Sequence, residues 1–121
     1  MKCNELKIEG MIDIFSGRPN PKWLLSNEQV DELKTKLGKL PMAKPVMPPG
    51  LGYRGAFVTN LSRDGRIPDQ IKVYNSILSV VDTGRINYYE DINNIEEWLL
   101  EQARKLGYGD AIKKFRKWSH R

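Results

Sequence analysis

"QIKVYNSILSVVDTGRINYYE", residues 70–90, is the stretch on which the fold turns. It is dense in β-branched and aromatic residues, and "DTGR" interrupts it where Gly84 can supply a positive φ. The composition predicts a strand over 70–81 and a second over 86–90, joined as a hairpin. Working toward the N-terminus, "YRGAFVTN", residues 53–60, predicts another strand, and "SRDGRIPD" before the hairpin is a turn-rich loop. Residues 6–15, "LKIEGMIDIF", alternate: Leu6, Ile8, Ile12 and Ile14 share one face, with Lys7, Glu9 and Asp13 on the other. That is a strand with one buried face, and Gly10 suggests a bulge in it.

Two stretches carry helical periodicity. In "SNEQVDELKTKLG" Ser26 is an N-cap, Gln29 completes a capping box, and Val30, Leu33 and Leu37 form the apolar stripe. Gly38 is the expected stop. In "NNIEEWLLEQARKLG" Asn94 and Glu97 predict a second capping box. Ile95, Trp98, Leu99, Ala103 and Leu106 make the stripe, Gly107 is the end, and Glu96 and Glu97 read as a solvated face. Residues 38–52 hold four prolines and three glycines, which suit neither helix nor interior strand. The order predicts an α+β two-layer domain: a mainly antiparallel four-stranded sheet, two main helices and a short basic C-terminal helix. Residues 1–109 form the globular domain and 110–121 the basic amphipathic tail.

Charge is divided unevenly between them. All fifteen acidic residues lie at or before Asp110, so residues 1–112 are formally neutral, and the net +5 belongs to "KKFRKWSHR". The tail residues Lys113, Lys114, Phe115, Arg116, Lys117 and Trp118 combine cations with aromatics. That suits a carboxylate-bearing protein surface first, and an anionic lipid or phosphate backbone as alternatives.

The catalytic inventory is thin. His120 is the only histidine and stands on the tail, and Cys3 is the only cysteine. A histidine–cysteine zinc site and an internal disulfide are both excluded by count. No phosphate-binding glycine loop is present. No cofactor, metal or catalytic residue is therefore assigned. With no apolar run at the start and no membrane-length segment, the expectation is a cytoplasmic protein.

"FSGRPNPKW", residues 15–23, is the most motif-like stretch. Each proline holds the residue before it extended, so Arg18 and Asn20 sit on stiff backbone. A planar guanidinium presented that way suits a carboxylate or phosphate. The competing structural role pairs Arg18 with Asp13 or Asp64, uses Asn20 in the turn, and packs Trp23 under the first helix. "YRGAFVTN" resembles the central motif of the RNA-recognition (RRM) family over six residues, through Arg54, Gly55, Ala56, Phe57 and Val58. The base-stacking aromatic of that motif is missing between Gly55 and Ala56, and the order of elements differs, so the family is not assigned. The reading is a strand with Gly55 at a bulge and Phe57 in the core.

The expectation is a small non-catalytic binding or accessory protein that recognises a protein partner. Its contacts would come from the rigid loops, with Arg18, Asn20, Trp23, Tyr53 and Arg54, and from the tail. The alternatives are a small enzyme on an anionic substrate, with Arg18 as clamp and Asp13 or Asp64 as acid or base, and nucleic-acid binding through the tail.

Overall fold

The computed structural model describes residues 6–15, 17, 19–45 and 53–119, with side chains through Lys114. In chain order the elements are β1 (Ile8–Ile12), β2 (Lys22–Leu24), α1 (Asn27–Lys36), β3 (Ala56–Asn60), β4 (Gln70–Tyr74), β5 (Ile77–Asp82), β6 (Arg85–Glu90), α2 (Ile95–Ala103) and α3 (Gly109–Ser119). The architecture is α+β. Among the described residues the sheet has six strands, all antiparallel, in the order β2-β1-β3-β4-β5-β6, rather than the four expected.

Two departures account for the extra strands. Residues 70–81 are a hairpin rather than one strand, because Asn75 and Ser76 both take positive φ (52° and 69°) and reverse the chain in two residues. Thr83 and Gly84 do the same before β6 (49° and 80°). Paired positive φ values are what a right-twisted two-residue hairpin needs. The apolar pattern already changes phase at the first turn. Ile71 and Val73 point to the core on odd positions, whereas Leu78 does so on an even one. The second departure is β2, three residues paired with β1 in the register Gly10↔Trp23.

Core positions follow strand alternation on one sheet face: Ile8 and Ile12, Ala56 and Val58, Ile71 and Val73, and Leu78. Val30 and Leu33 of α1, and Leu99, Leu100 and Ala103 of α2, complete the core. Phe57 is not in it. Its position alternates to the opposite face, where it lies half-buried with the Lys72 ammonium 5.5 Å from its ring centre.

The capping box of α1 is present as expected: Ser26 Oγ accepts from Gln29 N–H at 3.1 Å, and Gln29 Oε1 accepts from Ser26 N–H at 2.8 Å. The box expected for α2 is absent. Asn94 is left-handed (φ 57°) and its side chain makes no cap bond. Asp91 replaces it, its two carboxylate oxygens accepting from Ile95 N–H (2.7 Å) and Glu96 N–H (2.9 Å). A carboxylate there also meets the positive end of the helix dipole. Within the segment Arg104–Tyr108 Gly107 is non-helical (φ 102°) and breaks the helical path at a kink, the stop expected of it, and a separate helix, α3, follows from Gly109. Leu106 in that segment is exposed, so it leaves the apolar stripe to which its spacing assigned it.

Candidate functional site: the loop end of the sheet

The start of the stretch 15–23 and the start of the stretch 53–60 lie against each other at one end of the sheet. Asp13 N–H donates to the Gly55 carbonyl at 2.9 Å, and Arg54 N–H donates to the Asp13 carbonyl at 2.7 Å. Their side chains repeat the connection. Arg54 Nη2 donates to Asp13 Oδ1 at 2.8 Å and to the Phe15 carbonyl at 2.9 Å. Both members of this ion pair are about four-fifths buried. Gly55 is required here: its φ is 121°, and a Cβ would stand 3.0 Å from the Val73 carbonyl oxygen.

Asn20 holds the other side of the loop. Its Oδ1 accepts from Ile14 N–H (3.0 Å) and Phe15 N–H (2.8 Å), and its Nδ2 donates to Asp13 Oδ1 at 3.2 Å. Loop 13–21 is thus tied at its root by one amide and one guanidinium. Gly17 and Pro19 are exposed at its tip, and Arg18 lies outside the described residues.

The expected partners of Arg18 are engaged elsewhere. Asp13 pairs with Arg54. Asp64 forms a two-pronged pair with Arg66, through Nε (2.8 Å) and Nη2 (2.7 Å). Hydrogen bonds from the Arg66 side chain and backbone hold the Asp64 carboxyl at about 2, well below its ordinary value. Arg66 also reaches Asn27 (2.8 Å) and Asp31 (3.0 Å), which fastens loop 61–69 to the start of α1.

Behind Arg54 the backbone turns Tyr53 inward. It is buried, its hydroxyl hydrogen-bonds Glu96 Oε2, and its ring packs on Tyr74 with centroids 5.8 Å apart. Glu96 is 8 % exposed, so it does not belong to the solvated face expected of it. The spacing carried the signal: Leu99, Leu100 and Ala103 lie three, four and seven residues on, which puts Glu96 on the apolar stripe. Burial, and secondarily the Glu96 charge, push the Tyr74 phenol above its ordinary value.

Trp23 packs against the core on the β1 side of the sheet. Its ring covers Gly10, and its Nε1–H donates to Gln102 Oε1 of α2 at 2.7 Å. Lys113 and Lys114 are exposed on α3, while Ile112 beside them is buried in the core. The side chains of Phe115, Arg116, Lys117 and Trp118 lie outside the described residues. Among the described residues no cluster of three histidine, cysteine or acidic side chains could hold a metal ion, and no helix is long and apolar enough to cross a membrane.

Compared with known proteins, the chain matches no family model, no curated protein and no solved structure.

Proposed function

We propose that this chain is a small non-catalytic binding or accessory protein. It recognises a carboxylate-bearing surface of a protein partner through the tip of loop 15–21 and the basic C-terminal segment. The observation that carries the reading is the tying of the loop root by Asn20 and Arg54. A loop already held by its own side-chain bonds loses little conformational entropy on binding. The same bonds argue against the enzyme alternative. Asp13 and Asp64, the two acids it would draw on, are each paired with an arginine, Arg54 and Arg66, and an acid or base must be within reach of substrate. Charge supports the choice of partner, since the excess of cations is confined to residues 113–121.

The test is affinity capture from host lysate by the full chain and three variants, with thermal melts alongside. Arg18→Ala is expected to abolish capture and leave the melting temperature unchanged. Arg18→Lys is expected to fail as well, because an ammonium cannot reproduce a two-pronged contact. Lys113, Lys114 and Lys117 changed together to Gln should weaken capture without loss of stability. Arg18→Ala that destabilises the fold while capture persists would refute the role of the loop. Salt-insensitive capture that survives the lysine variant would refute that of the tail, and recovery of nucleic acid instead of protein would favour the phosphate reading.

A further inference from the structure

Ile112 is buried in the core, and Tyr108 and Ala111 pack against that core, so α3 is docked on its own chain. The docking depends on one residue. Between α2 and α3 the backbone leaves the helix at Gly107 alone (φ 102°, ψ 8°). Arg104 before it (φ −60°, ψ −42°) and Gly109 after it (φ −58°, ψ −41°) are both helical. A Cβ at Gly107 would meet nothing within 4 Å. Glycine is therefore needed there for its φ and not for space.

Helical phase shows what the kink does. Ala103 of α2 and Ile112 of α3 are both buried, though they stand nine residues apart. In an unbroken helix nine residues advance by about 900°, two and a half turns, which sets the first and last on opposite faces. With Gly107 in a helical conformation, α2 and α3 would run on as one helix about 37 Å long, from Ile95 to Ser119. Ile112 would then point away from the core that holds Ala103, and the place it fills would be vacated. The α3 of a second copy fits that place, because it is the place this chain already builds for an identical helix. The exchange is mutual under a two-fold axis, and the core contacts of α3 are regained. The two states then differ chiefly at the hinge, the circumstance in which such exchange is accessible.

We infer that Gly107 is the hinge of a domain exchange. Kinked, it folds α3 onto its own chain; straightened, it delivers α3 to the core of a second copy and receives that copy's α3 in return. No residue of the proposed recognition loop takes part, and the only partner involved is the chain itself.

Gly107→Ala tests this, because alanine disfavours positive φ and favours an unbroken helix. Each hinge should shift the balance at least about tenfold, and a dimer holds two, so the dimer dissociation constant should fall at least about a hundredfold below that of the unaltered chain. In sedimentation equilibrium the Gly107→Ala chain should be dimeric by about 100 µM. Gly107→Asn, which tolerates positive φ, should shift the balance far less. When the Gly107→Ala dimer is refolded from equal parts of isotope-labelled and unlabelled chain, isotope-filtered nuclear Overhauser contacts should join the Ile112 methyls of one copy to core methyls of the other. A Gly107→Ala chain that stays monomeric throughout the series would overturn the inference. So would a dimer in which Ile112 contacts only its own chain, or a Gly107→Asn chain that dimerises as tightly as Gly107→Ala.

Discussion

Gly10 shows how one residue can be fixed by a partner thirteen positions away. A bulge was the sequence expectation, but the β1 ladder runs through it without interruption. Glycine is needed for space: a Cβ would lie 2.7 Å from both Cε2 and Cζ2 of Trp23. The Trp23 ring is itself anchored to α2 through Gln102, so it cannot tilt away without losing that bond. Gly10→Ala is therefore expected to destabilise the fold by roughly 1–3 kcal/mol, the range for forcing extra volume into a packed contact. Gly10→Ala combined with Trp23→Leu should cost less than the sum of the two single changes, since removing the ring removes the clash. Urea denaturation of the four chains measures both effects. Additive costs would mean that the ring is not what excludes the side chain.

At the scale of elements, the β4–β5 hairpin places two residues with a Cβ in the left-handed region. Asparagine tolerates the left-handed conformation, but serine at φ 69° in the second turn position pays the Cβ–carbonyl clash that glycine avoids. Ser76→Gly is expected to stabilise the protein by about 0.5–1 kcal/mol, net of the flexibility that glycine adds to the unfolded chain. The equivalent position in the β5–β6 hairpin is already Gly84. Gly84→Ser should thus be destabilising by a similar amount, and thermal unfolding of the two variants should shift in opposite directions. Equal signs would show that the turns do not share one geometry.

For the molecule as a whole, the C-terminal helix is part of the core at its first turn and a carrier of charge beyond it. Ile112 is 1 % exposed, while Lys113 and Lys114 are exposed. Ile112→Ala is expected to cost about 2–5 kcal/mol, as for other large-to-small core changes. A chain ending at Gly109 should lose at least as much, and one ending at Ile112 should keep more of its stability. Denaturant midpoints of these three chains and the full one check this ranking, which fails if the chain ending at Gly109 is as stable as the full one.

Much of this was written locally in the chain. The alternation of 6–15, the capping box of Ser26 with Gln29, the turn at Gly84 and the confinement of excess charge to the last nine residues all depend on neighbours in sequence. So did the motif-like character of 15–23 and 53–60. What periodicity could not supply were the pairings between distant residues. Asp13 had Arg18 nearby in sequence, yet Arg54 reaches it because β1 and β3 are sheet neighbours. Trp23 met Gly10 and Gln102 only once β2 closed against β1. Asp91, not Asn94, caps α2 because the chain bends between them and brings a carboxylate to the free N–H groups. Local signals record the conformational preference of a residue. Ion pairs, caps from a distance and close backbone approaches are set by which elements the sheet brings together, and only the tertiary structure decides that.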